Sequence, residues 1–135
     1  MEMDDVLEEF LALPNYAVVG ASRHPAKYGY KVVKDLLAKG YTVFPVNPNV
    51  EAIEGLACYG TLADIPERID VVNIVVPPYI TKVIVEQCGD LGLKRVWMQP
   101  GAESEEAIAL CHRYGIEVVH STCVMVMSGP QLGKA

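Results

Sequence analysis

The stretch "YAVVGASRHPAKYGY", residues 16–30, joins an apolar run ending at Gly20 to a second glycine, Gly29, that opens a helical pattern. That layout is a strand–loop–helix turn able to cradle an anion. A helix N-terminus presents unpaired N–H groups and about half a positive charge, which suits phosphate. Gly20 permits a tight exit from the strand, Ser22 offers a hydroxyl, and Gly29 allows close approach of backbone to ligand or of helix to sheet. Arg23, His24 and Lys27 add donors and positive charge. A plain connection with solvated cations is the simpler use of these residues; a doubly wound sheet around them favours the anion site. The glycine spacing departs from G-x-G-x-x-G, and Asn47 stands where a dinucleotide reader carries an acid for the ribose diol. A nicotinamide dehydrogenase is therefore not expected.

Other reactive side chains form no complete catalytic constellation. The four cysteines, Cys58, Cys88, Cys111 and Cys123, contain no Cys-x-x-Cys pair, and a chain this rich in apolar residues needs no disulfide framework. Cys111 and His112 are adjacent, and His120-x-x-Cys123 supplies only two ligands, so no metal centre is expected. Cys88 and Cys111 read as core-facing helix residues. Asp64 with Glu67, and Glu103 with Glu105 and Glu106, read as helix starts favoured by the dipole rather than paired catalytic carboxylates. Ser121-Thr122 lacks a serine-hydrolase elbow, and Trp97, in a predicted strand, reads as packing.

These residues need elements to position them. Apolar Val6, Leu7, Phe10 and Leu11 recur at helical spacing behind acidic residues, predicting a helix within residues 1–14. "NYAVVG" then reads as a strand, "YGYKVVKDLLAKG" as a helix stopped by Gly40, and "YTVFPV" as a second strand. "LACY" predicts a short edge strand and "TLADIPERI" a helical turn or two. "VVNIVV" is apolar throughout, as a parallel strand buried on both faces must be. A helix over "YITKVIVEQCGDLG", the strand "RVWM", a helix over "SEEAIALCHRYG" and the strand "IEVVH" follow. Alternation of this kind predicts one α/β domain over 1–135, a doubly wound, mostly parallel Rossmann-like sheet with helices on both faces and strand order about 3-2-1-4-5-6. Residues 128–135 are expected to be frayed.

Ligands bind such sheets at the strand carboxyl ends, near the point where strand order reverses. Those ends carry Pro45-Val46-Asn47-Pro48, Val76-Pro77-Pro78, Met98-Gln99-Pro100-Gly101 and His120-Ser121-Thr122-Cys123. The prolines serve either as strand terminators or as the rigid rim of a cleft. Seventeen acidic against eleven basic residues, a formal charge of −6, argues against non-specific nucleic-acid binding. No run approaches the ~20 apolar residues of a membrane span. The acidic start, "MEMDDVLEEF", does not resemble a signal peptide, so a cytoplasmic location is expected.

Taken in order, "VVGAS", "GYTVFPVNP", "VVNIVVPP", "VWMQPGA" and "GIEVVHSTCVMV" resemble the stand-alone CoA-binding domain proteins, which are similar to the N-terminal CoA-binding domain of the succinyl-CoA synthetase α subunit. The resemblance covers about residues 10–127 and implies a Rossmann-like fold that binds coenzyme A. It implies that Gly20, Ala21 and Ser22, with Arg23 and Tyr28 beyond them, receive the CoA pyrophosphate. Pro45, Asn47 and Pro48 would border the adenosine, Val76 and Pro77 would form a wall, and Met98, Gln99 and Pro100 would follow the pantetheine arm. The synthetase-like lysine after the second strand is replaced here by Asn49, Val50 and Glu51, leaving the 3′-phosphate to Arg23 or Lys27. The resemblance also places a cysteine at Cys123, near the pantetheine thiol, where a mixed disulfide is conceivable; packing as a small hydrophobe is the alternative.

The function expected is binding of CoA or an acyl-CoA as a carrier, sensor or regulator without catalysis. The alternatives are CoA thiol–disulfide chemistry through Cys123 and a nucleotide-binding subunit completed by a ligase-like partner chain. A homodimer through an exposed edge strand is permitted, not required.

Overall fold

The computed structural model describes residues 3–131. Helix α1 (Met3–Ala12) leads into strand β1 (Asn15–Val19), helix α2 (Tyr28–Ala38) and strand β2 (Thr42–Val46). A small hairpin, β3 (Ala52–Ile53) with β4 (Leu56–Ala57), and one 3-10 turn (Leu62–Asp64) precede β5 (Val71–Ile74). Helix α3 (Pro78–Leu91), β6 (Arg95–Met98), α4 (Glu105–Tyr114), β7 (Glu117–Val119) and the short α5 (Val124–Met127) complete the chain.

The main sheet runs β2-β1-β5-β6-β7, and every pair in it is parallel. Strand order reverses between β1 and β5, so the switch point of the α/β fold lies beside Gly20. Alternation along the strands sorts the core. Ala17, Val19, Val72, Ile74, Val96 and Met98 pack with α3 and α4, whereas Tyr16, Val18, Val71 and Trp97 pack with α1, α2 and α5. Trp97 is fully buried, edge-on to Phe10 at 6.3 Å between ring centroids, and its Nε1–H donates to the Thr122 carbonyl at 2.9 Å. It is a packing residue, not a stacking platform.

Four details differ from expectation, two of them being the β3–β4 hairpin and the short α5, which were not foreseen. The strand expected at Ala57–Tyr59 joins the main sheet only as a single parallel bridge from Tyr59 to Val46. Tyr59 N–H donates to the Pro45 carbonyl and Asn47 N–H to the Tyr59 carbonyl, each at 2.9 Å. One step back, the outward ladder needs a donor from residue 45, and proline has none. Ala57 pairs with Ala52 in the hairpin instead. The tail is also better held than expected. Ser128 and Gln131 are buried. Lys39 Nζ donates to Ser128 Oγ at 2.9 Å, Gln131 N–H donates to the Lys39 carbonyl at 2.8 Å, and Gln131 Nε2 reaches the Leu11 carbonyl at 3.0 Å. The expectation of fraying at 132–135 falls outside the described residues. Among the described residues, no helix is long and apolar enough to cross a membrane.

Candidate functional site

The β1–α2 turn is built on two glycines in contact. Gly20 has φ +96°, and a Cβ there would lie 2.8 Å from Val75 Cγ2 and 3.0 Å from Val76 Cγ1. A Cβ on Gly29 would fall inside the Gly20 carbonyl oxygen and 3.1 Å from Ala21 Cα. Gly29 thus serves the approach of helix to loop, one of the two uses its position suggested. Lys27, extended at φ −82° and ψ 144°, is the N-cap of α2 but makes no side-chain cap. First-turn N–H groups of the helix therefore face the loop without a side-chain acceptor. Ser22 Oγ accepts from His24 N–H at 3.1 Å, which keeps its own O–H for an incoming acceptor. Arg23, His24 and Lys27 are exposed around this turn.

Beside the turn, on the α3 side of the sheet, opens a cleft of about 420 Å³. Gly20, Asn47, Pro48 and Val76, four of the residues named from the sequence, line it. Gly60, Thr61 and the α3 stripe Ile80, Val83, Ile84 and Gln87 line it too and were not expected. Their signal was present in the sequence: positions 80, 83, 84 and 87 repeat at helical spacing, yet Val83 remains half exposed, at 49%, rather than joining the core.

The Asn47 amide is held at both ends by backbone groups. Its Nδ2 donates to the Ala21 carbonyl at 2.8 Å and its Oδ1 accepts from Asn49 N–H at 2.9 Å. The side chain ties the β2 turn to the β1 turn and so sets the width of the cleft mouth. Ala21, Pro45 and Met98 are buried and present no side chain to a ligand; Met98, at 0% exposure, belongs to the core against α3 and α4. Pro77, the N-cap of α3, and Pro100 are exposed on the carboxyl edge.

A second cluster lies on the opposite, α2 side of the same edge. The buried Gln99 accepts at Oε1 from Val124 N–H and from the Tyr28 hydroxyl, both at 3.0 Å, and its Nε2 donates to Asn73 Oδ1 at 2.5 Å. The backbone donor of Val124 fixes the orientation of the amide, since a flipped Gln99 would set two donors against each other. With its only hydrogen given to Gln99, the Tyr28 oxygen must accept at its 2.8 Å contact with Cys123 Sγ. The Cys123 thiol is therefore the donor in the resting arrangement. The Tyr28 hydroxyl is held above its ordinary range by burial first and by the Cys123 contact second. At the far end of the chain of bonds, Asn73 Nδ2 is buried without a partner.

Cys58 Sγ donates to the carbonyl of Asn47 at 3.7 Å, while Cys88, Cys111, His112 and His120 do not extend the site. Cys88 and Cys111 are free and buried in the core, where desolvation raises their thiols to about 12 and about 11. His120 lies just past β7, its Nδ1 2.9 Å from Ser121 Oγ, and His112 is exposed on α4. Among the described residues no group of three or more His, Cys, Asp or Glu is placed to hold a metal ion.

Known proteins fit this geometry. The chain is 32% identical over 134 residues to the α subunit of acetate–CoA ligase (ADP-forming) II from Pyrococcus furiosus, a match covering 91% of this chain and 29% of the subunit. It spans 18% and 17% of two further ADP-forming acetate–CoA ligases, from Methanocaldococcus jannaschii and Archaeoglobus fulgidus. Among solved structures it is similar to a conserved hypothetical protein from Pyrococcus furiosus, at 44% identity and TM-score 0.83, covering 86% of this chain and all of that one. A hypothetical protein from Pyrococcus horikoshii OT3 superposes at TM-score 0.88 with 36% identity, over 94% of this chain and 89% of that one. The CoA binding domain family matches residues 14–129, and this chain, with its uncapped helix at the switch point, belongs to that family.

Proposed function

We propose that the protein binds coenzyme A or an acyl-CoA along the carboxyl edge of its sheet, as a carrier, sensor or regulator with no chemistry of its own. The adenosine occupies the cleft between Val76 and the α3 stripe. The pyrophosphate rests on the Gly20–Gly29 turn with Ser22, Arg23 and Lys27 around it, and the pantetheine arm crosses the edge towards Gln99, Pro100 and Cys123. The observation that carries this reading is the side-chain-uncapped N-terminus of α2, pressed against Gly20 at the mouth of an apolar cleft. An anion and a flat apolar group find their partners there side by side. A cytoplasmic location belongs to the same proposal.

Calorimetric titration with CoA, NAD and ATP tests it. We expect a Kd of about 1 μM or tighter for CoA, near −8 kcal/mol, and much weaker binding of the other two. Thr61→Trp, which fills the cleft from an exposed position, should abolish CoA binding while leaving the melting temperature unchanged. Tighter binding of NAD would overturn the reading.

The free, half-buried Cys123 at the carboxyl edge supports a second reading, thiol–disulfide exchange once the thiol leaves its bond to Tyr28. The Cys123 thiolate would attack a CoA disulfide, forming the protein–CoA disulfide and releasing one CoA thiolate, with no external oxidant. Intact-mass analysis after incubation with CoA disulfide checks this: the adduct forms on the unaltered chain and is lost in Cys123→Ser. The match to 29% of a ligase α subunit also supports a ligase-like partner chain supplying what lies beyond this domain. A ligase-like protein recovered on the tagged chain from its own cells would bear that out.

A further inference from the structure

CoA and its 3′-dephospho form share the adenine, the pyrophosphate and the pantetheine, and differ by one phosphate on the ribose. In doubly wound folds the ribose lies at the end of the second strand. Here that place is the cleft mouth formed by Asn47, Pro48, Gly60 and Thr61. Among the described residues that line the cleft, none carries a charge.

Among the described residues, an acidic side chain, Asp64, touches that mouth. Asp64 Oδ2 accepts from Thr61 Oγ1 at 3.3 Å and lies 3.5 Å from where a Cβ on Gly60 would stand. Downstream of Pro48 the chain offers Asn49 and then Glu51, both exposed. Lys34 on α2 is paired with Glu54 at 3.5 Å. The Asn47 amide is held by the Ala21 carbonyl. Arg23, His24 and Lys27 belong to the β1–α2 turn, where the pyrophosphate common to both ligands is received. A phosphate is selected by charge-assisted hydrogen bonds, and among the described residues the lining of the ribose end supplies no cation to make them.

We propose that this site does not read the 3′-phosphate and accepts dephospho-CoA as well as CoA. The ligand class is then an adenosine diphosphate carrying a pantetheine arm, with the ribose 3′ position left to solvent. This rests on the CoA-binding reading above and sharpens it.

The test is calorimetric titration of the full chain with CoA and with dephospho-CoA at one ionic strength. We expect the two dissociation constants to agree within about threefold, because no charge-assisted contact separates them. A preference for CoA of about tenfold or more, the size of one such contact, overturns the inference and leaves the CoA reading standing. Failure of both ligands to bind overturns both. Two variants sharpen the result. Arg23→Ala should weaken both ligands by the same factor; loss confined to CoA would assign Arg23 to the 3′-phosphate and overturn the inference. Asp64→Lys places a cation at the ribose end and should create a preference for CoA of about tenfold. No change in that variant would put the ribose elsewhere and overturn the assignment.

Discussion

On the α3 side of the carboxyl edge, Val76, Ile80 and Val83 leave an open apolar slot whose rim has hydrogen-bonding capacity to spare at Ser22 and at the start of α2. On the α2 side, Tyr28, Gln99, Asn73 and Cys123 are joined in one chain of hydrogen bonds within the protein, ending at the unpartnered Asn73 Nδ2. The first side leaves open space beside unused donors. The second is arranged to hold a turn: through Val124 N–H, Gln99 anchors the segment that carries Cys123. Polar residues at strand ends are thus not equivalent signs of a binding site. What separates them is whether their donors and acceptors are already taken.

The contrast can be broken most severely at the glycine contact both sides share. Gly29→Ala drives a methyl group into the Gly20 carbonyl, and backbone cannot step aside as a flexible side chain would. We expect a loss of about 3 kcal/mol or more in urea unfolding, with CoA binding lost as the turn moves. Gln99→Leu attacks the filled side alone. It strands the Tyr28 hydroxyl, Val124 N–H and Asn73 Oδ1, and should cost about 3 kcal/mol. The double change Asn73→Leu with Gln99→Leu should recover part of that loss, because replacing both partners of a buried pair costs less than orphaning one.

The buried thiols give a milder test, by pH. Cys88 and Cys111 titrate near 12 and near 11 in the folded chain, against an ordinary value of 9.0. Above pH 9 the unfolded chain has lost protons that the folded chain still holds, so rising pH favours unfolding. Stability should be unaffected by these groups below pH 9 and fall above it by up to about 1.4 kcal/mol per pH unit for each thiol, until each folded value is passed. Denaturant melts of Cys88→Ala with Cys111→Ala should show a flatter alkaline limb, measured against that variant's own stability at neutral pH. Tyr28→Phe is the smallest change. It should cost about 1 kcal/mol, and it frees the Cys123 thiol, so iodoacetamide should label Cys123 several-fold faster. An unchanged labelling rate would mean that Tyr28 does not restrain the thiol.

Much of this was legible in the residues. The run Tyr16–Gly20, the spacing to Gly29 and the all-apolar β5 pointed to the switch-point turn, because strand burial and helix starts are written in local pattern. Gly20, Asn47, Pro48 and Val76 were placed at one cleft because all four lie at strand ends. Asn47 and Gln99 show where that reasoning stops. Both sit at the carboxyl edge and both carry an amide, but a sequence does not reveal whether an amide meets a ligand or a backbone group from another turn. Asn47 proved to be a tie between turns, and Gln99 the centre of a buried network. The α3 lining was missed for a related reason: a helical stripe looks the same whether it faces the core or runs past its edge into open space.

The sequence by itself determined the alternation of the main strands and helices, the parallel sheet, the glycine-bounded turn and the family resemblance, since each depends on neighbours within a few residues or on motifs kept in order. Tertiary structure decided how the strand ends divide between an open cleft and a closed network. That division depends on pairings across 26 to 95 residues, from Asn47 to Ala21 and from Tyr28 to Cys123. No local pattern encodes them, because the free energy of such a bond depends on what else fills the space once the chain has packed.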